Sequence, residues 1–465
     1  MRIPQRSAPL EVTLAITTPD ARGLDDARLG DPTLRAAHDR RTAADAIRPL
    51  LVRLLGPEPA VRIELWDGST FGRLDGAGTL LVRSPNALRR ILWAPGELGL
   101  ARAHITGELE VDGDIIEILA ALRDAAPDDL GPSVLPTALR SARRVGALGR
   151  PLPPPAEEAT VHGRRHSKRR DQQAVRHHYD VGNEFYEIVL GEAMTYSCAY
   201  FDQPTRTLAE AQAVKHELIS RKLGLHEQPG SRLLDVGCGW GSMAMHAAAH
   251  HDTIVVGITI SPAQADRARE RIAAAGLDRQ VEIRLQDYRD LGSEEFDAIS
   301  SVGMFEHVGK RRTAEYFQTL RAHLRPEGRL LNHAISSTGG SMLDERSFTG
   351  RYVFPDGELL DVGDVVLAME GAGLEVRDLQ SLREHYALTL RAWVQNLEAD
   401  WDRAVALVGE QRARVWRLYM AGSAVGFEDG GISIHQVLGV IPTATGSSGM
   451  PPTRANWEIG ATFPG

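Results

Sequence analysis

Leu233-Leu234-Asp235-Val236-Gly237-Cys238-Gly239-Trp240-Gly241 is an apolar run that closes on an acid and three alternating glycines. It reads as a buried strand feeding a helix, and glycines at such a turn let the backbone approach a ligand closely. The spacing G-x-G-x-G is weak by itself, because any strand-turn-helix unit of this kind supplies it. The ends of the next two strands sharpen it. A dinucleotide site calls for G-x-G-x-x-G and an acid at the end of the second strand to hold ribose hydroxyls. Here the second strand closes on Gly257-Ile258-Thr259-Ile260-Ser261, which argues against NAD. The third closes on Gln286-Asp287-Tyr288, where a carboxylate and a ring can hold an adenine amine and face. With Asp235, these features favour S-adenosylmethionine (SAM).

A second stretch invites chemistry. Thr195-Tyr196-Ser197-Cys198-Ala199-Tyr200-Phe201 sets one of only two cysteines between hydroxyls and rings. A nucleophilic thiol needs a neighbouring base or cation to lower its pKa, and the sequence pairs Cys198 with neither. Cys198 and Cys238 cannot build a disulfide framework, so a reducing cytoplasm is the simpler setting. His177 and His178 are adjacent but lack a coherent third and fourth ligand, and no metal site is read.

These residues need a scaffold. At 465 residues the chain is long enough for two domains. Its 43% hydrophobic and 25% charged residues are those of a globular protein. The net charge of -9 opposes a nucleic-acid partner, which needs a positive surface. No apolar run approaches the roughly 18 residues of a membrane span, and the N-terminus lacks a signal-type apolar core.

Residues 1–45 show no sustained period and read as a loosely ordered extension. In 46–130, VRIELWDGSTFGRL and GTLLVRS read as strands and SPNALRRILW as a helix capped by Ser84, giving a small α+β domain. Residues 131–172 combine a basic helix-like piece, a proline run and a second basic cluster, the signature of a linker. Its charge fits either a solvated hinge or attraction to anionic lipid headgroups. Over 173–440, SRLLDVGCGWG, TIVVGITIS, VEIRLQD, FDAISSVG and GRLLNHAIS alternate with helical spacing, which argues for a mostly parallel sheet with helices on both faces. Residues 441–465 form a tail.

LLDVGCGWG, VVGITISPAQ and GMFEHVGK resemble the SAM-dependent methyltransferases that act on unsaturated acyl chains, the cyclopropane-fatty-acyl-phospholipid synthase and mycolic-acid cyclopropane synthase family. HHYDVGNEFYEIVL, MTYSCAYF, YVFPDGEL and REHYALTLRAW extend the resemblance from about Arg176 to at least Gln436. It implies a Rossmann-like class I SAM-dependent methyltransferase domain preceded by a smaller α+β domain for lipid binding or dimerisation. Tyr196, Ser197, Asp235, Gly237, Gly239, Thr259, Gln264, Asp287 and Tyr288 become the SAM contacts. The family's bound bicarbonate ion would be held by the side chains of Glu306, His333 and Tyr386 and the backbone N–H groups of Cys198 and Ile335. Glu306 acting directly as base is the competing reading. His307 reads better as a structural hydrogen-bonding residue.

An alkene is a poor nucleophile, so the reaction needs a dry, aromatic-lined slot that aligns it with the sulfonium. Tyr179, Phe185, Tyr196, Tyr200, Phe305 and Trp393 are candidates for that slot, and also for plain core. The reading is therefore a cytoplasmic enzyme, peripheral to the inner face of the membrane, that converts cis double bonds of phospholipid acyl chains to cyclopropanes. The resemblance further implies a homodimer. One rival ends in a methylene branch and uses a separate reductase to finish a methyl-branched acid. A rival of another class is a catalytically silent SAM- or lipid-binding scaffold.

Overall fold

In a computed structural model, residues 42–126, 132–158, 170, 181–337, 347–355 and 357–457 are described. Residues 1–41 of the extension, Tyr179, His177, His178 and most of the second basic cluster lie outside them, while the extension's last residues, Ala43 to Asp45, open a helix and correct that boundary. Helix α1 (Ala43–Leu55) covers a four-stranded sheet of order β2-β1-β3-β4, built from β1 (Arg62–Leu65), β2 (Thr70–Phe71), β3 (Gly78–Val82) and β4 (Leu109–Gly113). Between β3 and β4 run α2 (Pro85–Trp93) and α3 (Glu97–Ile105). Ser84 caps α2 as its type predicts, its hydroxyl accepting from Asn86 N at 3.2 Å. Asp114 does the same for α4 (Ile115–Ala125), accepting from Ile116 N at 2.8 Å.

The basic segment differs from a simple linker. Its first part is helix α5 (Leu135–Arg144), which buries Thr137, Ala138, Ser141 and Ala142. Arg53 on α1 donates to the Ser133 carbonyl at 3.0 Å beside it. Small residues repeating at helical spacing make that inner face, a pattern that the flanking arginines obscure.

The larger sheet begins after α6 (Asn183–Leu190) and α7 (Leu208–Leu223). Strands β5 (Arg232–Val236), β6 (Ile254–Thr259), β7 (Val281–Leu285), β8 (Phe296–Val302) and β9 (Leu324–Ser337) are parallel, with α8 (Ser242–His251), α9 (Pro262–Ala274) and α10 (Thr313–Ala322) between them. These are the five strands that the sequence pattern marks. The short helix α11 (Phe348–Tyr352) and short strand β10 (Leu360–Asp361) follow, then α12 (Val362–Gly371), β11 (Glu375–Ser381) and α13 (Arg383–Ala399). Helices α14 (Trp401–Val408) and α15 (Glu410–Glu428) lead to β12 (Ile432–Val440). The order is β11-β12-β9-β8-β5-β6-β7, with β10 beside β9; β12 lies antiparallel between β9 and β11. The order reverses at β5, the switch point outside which α/β sheets bind ligands.

The four-stranded layer and the larger sheet belong to one compact unit, Ala43–Gly465, in which Ala101, Ile105, Ile115 and Ile116 share a core with Trp416 and Met420 of α15. Ion pairs rim the contact, Arg414 to Glu110 at 3.0 Å and Arg391 to Glu117 at 2.9 Å.

Candidate active site

The glycine turn closes against the neighbouring strand. Gly237 N and Cys238 N both donate to the Ile258 carbonyl, at 2.9 and 3.0 Å. Gly237, Gly239 and Gly241 take φ values of 76°, 54° and 83°, where a side chain is strained. A Cβ on Gly237 would also press on Met304 at 3.0 Å. Cys238 turns inward, and a Cβ on Gly257 would meet its Sγ at 3.1 Å. The second cysteine is thus a packing residue.

One cleft lies over the carboxyl ends of β5 to β8, and all nine residues read as SAM contacts line it. Asp235 Oδ1 accepts from Ser300 Oγ at 2.7 Å, while Oδ2 is buried with no partner. Burial pushes the Asp235 carboxyl up to about 6, opposed by the Ser300 bond and the Lys215 charge. Thr259 Oγ1 donates to Gln264 Oε1 at 2.8 Å, so the two second-strand contacts brace each other. Asp287 is already paired with Arg289, at 2.8 and 2.6 Å. An adenine at the third strand would share that carboxylate. Tyr288 is buried beside it.

The segment Thr195–Phe201 is held along both edges. Gln212 of α7 donates to the carbonyls of Thr195 and Ser197 at 3.3 and 2.8 Å. From α13, Thr389 Oγ1 accepts from Ala199 N at 3.0 Å and His385 Nδ1 from Phe201 N at 3.1 Å. Tyr196 and Ser197 consequently line the cleft, while Cys198 is fully buried with its Sγ 3.2 Å from the Ala199 carbonyl. Burial pushes the Cys198 thiol far up, which removes it as a nucleophile.

Lys215 is a site residue that sequence reasoning missed. It lines the cleft at 1% exposure and donates to Ser197 Oγ at 2.9 Å. Burial pushes its ammonium down to about 7, with Cys198 and Asp235 opposing. The available signal was a polar stripe on α7: Gln212, Lys215 and Lys222 recur at the spacing of buried Ile219.

None of the five residues read as catalytic is among the described residues lining the cleft. Glu306 follows β8 in a one-turn helix. Its Oε1 accepts from Ile335 N at 2.7 Å and its Oε2 is buried without a partner. The Ile335 N–H, expected to face an anion, is thus bonded to Glu306. Burial pushes the Glu306 carboxyl up to about 7, with that N–H opposing. His333 precedes Ile335 by two positions on β9, so both side chains share a face of the strand. The Gln436 amide donates to His333 Nδ1 at 3.2 Å, leaving a buried Nε2 without a partner. Burial lowers the His333 pKa and keeps the ring neutral. Tyr386 and Cys198 meet at Leu382: its carbonyl accepts from Tyr386 N at 3.1 Å and lies 3.7 Å from Cys198 Sγ.

Beside the cleft is a cluster of rings. Trp393 stacks on Tyr196 at 5.2 Å and 23°, Tyr186 packs against Trp240 at 4.7 Å, and Phe185 against Trp416 at 5.6 Å. The Tyr196 and Tyr419 hydroxyls are 3.5 Å apart. Phe185, Tyr196 and Trp393 share one packed core, and Tyr200 packs on His385 at its edge, 4.7 Å between rings. Phe305 departs from that expectation: its ring joins Tyr316 and Phe317 in a separate core under α10. Tyr186, Trp240, Trp416 and Tyr419 were not read as part of the slot. His307 lines the cleft, 6.0 Å from the Phe354 ring.

Strand order, switch point and a glycine-lined cleft together define a class I SAM-dependent methyltransferase. The family model described as mycolic acid cyclopropane synthetase matches residues 166–437. Over 416 residues the chain is 42% identical to a Mycobacterium tuberculosis protein described as "Probable fatty acid methyltransferase", covering 86% of this chain and 95% of that one. It is 34% identical over 357 residues to the cyclopropane-fatty-acyl-phospholipid synthase of Escherichia coli K12, covering 77% and 86%. The crystal structure of the mycolic acid cyclopropane synthase CmaA1 with SAH and CTAB matches with a TM-score of 0.55 at 34% identity, covering 58% of this chain and 97% of that one. The chain belongs to the mycolic acid cyclopropane synthetase family, as its motifs implied.

Proposed function

We propose that this enzyme methylates the cis double bond of an unsaturated phospholipid acyl chain and closes the product to a cyclopropane. The observation that carries the reading is the pairing of the nine-residue SAM cleft with a wall of rings and, behind it, two orphaned buried polar atoms, Glu306 Oε2 and His333 Nε2. Bound SAM supplies an electrophilic methyl group. The chain's own residues orient the alkene toward it and exclude water, and faces such as Tyr196 and Trp393 favour the cationic charge that develops on the acyl carbon. One proton must then leave the new methyl group so that the remaining electron pair can close the ring. The two orphaned atoms are of the kind that a small hydrogen-bonding anion such as bicarbonate would engage: Glu306 Oε2 can accept from it and His333 Nε2 can donate to it. Such an anion supplies a base. Glu306, elevated to about 7, can take up or return a proton near neutrality. Lys215 is proposed to hold the carboxylate end of SAM, since it and Ser197 face the same cleft.

A second reading rests on the relatives. Two with 42% and 40% identity are named fatty acid methyltransferases, and one at 33% is the tuberculostearic acid methyltransferase UfaA1 of Mycobacterium tuberculosis. In that reading a hydride shift precedes proton loss and leaves an exocyclic methylene, for a separate reductase to saturate. Incubation with SAM and a dioleoyl phospholipid should add one CH₂ per chain; NMR then shows ring protons for the first reading or exocyclic alkene protons for the second. Unchanged lipid refutes both.

Peripheral membrane attachment is part of the proposal. Leu135 and Leu139 are exposed on α5 beside exposed Arg140, Arg143 and Arg144, and residues 132–156 contain no Asp or Glu. Sedimentation with anionic but not zwitterionic vesicles is the expected result. No helix among the described residues is long and apolar enough to cross a membrane.

A further inference from the structure

Helices α7 and α8 bring together three donor atoms that the methyl-transfer reading does not use. Glu217 Oε2 lies 3.2 Å from His246 Nε2 and 2.8 Å from His251 Nε2, and all three atoms lie within 4.8 Å of one another. Their side chains are 4%, 6% and 8% exposed. The other carboxylate oxygen, Oε1, is held by Arg221 Nε at 2.6 Å, which fixes the orientation of the carboxylate from behind. Two further imidazoles stand close: the His250 ring is 4.5 Å from His246 and the His216 ring 5.7 Å.

Arg221 already compensates the buried Glu217 charge. Two more imidazole nitrogens on the remaining oxygen exceed what an ion pair needs, and they form a nitrogen-nitrogen-oxygen set of the kind that binds zinc. The spacing can be checked. With metal–ligand distances of about 2.0–2.2 Å, tetrahedral geometry sets donors about 3.3–3.5 Å apart. The Glu217–His246 separation nearly meets that, and the Glu217–His251 separation would open by roughly half an ångström. His251 ends α8, where Asp252 takes a left-handed φ of 50°, so small shifts there leave the helix intact. Arg221 on the carboxylate resembles the outer-shell bonds that orient metal-bound carboxylates.

We propose that Glu217, His246 and His251 form a binding site for a divalent cation of the zinc class, with water in the fourth position. The cation ties α7 to α8. Each helix also contributes to the SAM cleft, through Lys215 and His216 on one and Ser242 and Met243 on the other. Its role is structural, since none of the three ligands lines the cleft. Binding requires the Nε2 position of each ring to be free of its proton, which moves to Nδ1 or is released to solvent. The proposal is independent of which acyl product the enzyme makes.

The test uses the full chain, freed of metal by a chelator and titrated with zinc chloride in competition with a chromophoric chelator. One tightly held equivalent per chain and a rise in Tm on zinc addition are expected. His251→Gln keeps a donor toward Glu217 at a helix end and preserves the fold; it should weaken zinc binding at least tenfold and abolish the Tm rise. Glu217→Gln should weaken binding as well. Absence of a stoichiometric equivalent in the unmodified chain overturns the proposal, as does equal zinc binding by His251→Gln.

Discussion

The SAM cleft and the ring cluster beside it are built by different rules. Strand ends and turns make the cleft, and most of its residues fall in short motifs: Asp235 to Gly239, Thr259 to Gln264, Asp287 and Tyr288. The ring cluster is assembled from helices far apart in the chain, with Phe185 and Tyr186 on α6, Trp393 on α13, and Trp416 and Tyr419 on α15. A ligand approached by backbone leaves a trace in consecutive residues. A wall packed from helix side chains leaves only an ordinary helical stripe.

If chemistry resides behind the cleft and binding within it, substitutions should separate the two. The largest effect is expected from Glu306→Gln, a loss of turnover of about 100-fold or more with SAM affinity nearly unchanged, read by single-turnover assay and calorimetry. Full activity would collapse the distinction. Trp393→Ala should cost the fold about 3–5 kcal/mol in denaturant titrations, because it empties a fully buried indole position. Gly237→Ala should act on the opposite side of the comparison, weakening SAM by about 1–2 kcal/mol through strain at φ 76°, with turnover recovering at saturating SAM.

A pH series sharpens the contrast further. The Glu306 pKa is raised in the folded chain to about 7, so its contribution to stability is complete below the ordinary carboxylate pKa and is lost as pH rises through 7. Relative to the unmodified enzyme, Glu306→Gln should therefore gain Tm from about pH 5 up to about pH 7 and level off above it; a constant offset would contradict a raised Glu306 pKa. The smallest effect is expected from Cys198→Ser, which should retain substantial methyl transfer because the thiol is buried and held in its high-pKa, protonated form. Complete loss with an intact fold would return the thiol to the chemistry.

How legible this was follows from the same contrast. The five parallel strands stand out as apolar runs between helical segments, and the cofactor residues sit at their ends. Strands β11 and β12 went unread because Glu375–Ser381 is largely polar and Ile432–Val440 follows a long helix with no alternating partner nearby. Helix α7 hid Lys215 because buried polar residues break the expected apolar stripe. Of the two readings open for Phe305, slot or core, its ring takes the second, turning toward Tyr316 and Phe317, and spacing alone does not separate them. The Glu217, His246 and His251 cluster was invisible because its members lie on two helices, about thirty residues apart in the chain, that meet only in the fold.

Strand β12 also bears on the order in which the enzyme comes into being. It lies between β9 and β11, so β11 cannot join the sheet until residues 432–440 arrive to bridge it to β9. During synthesis, the SAM-binding half can assemble as it leaves the ribosome, since its strands from β5 to β9 are consecutive. Gln436, which fixes the His333 ring, arrives almost last. The growing chain would thus acquire its cofactor cleft well before the amide that orients His333.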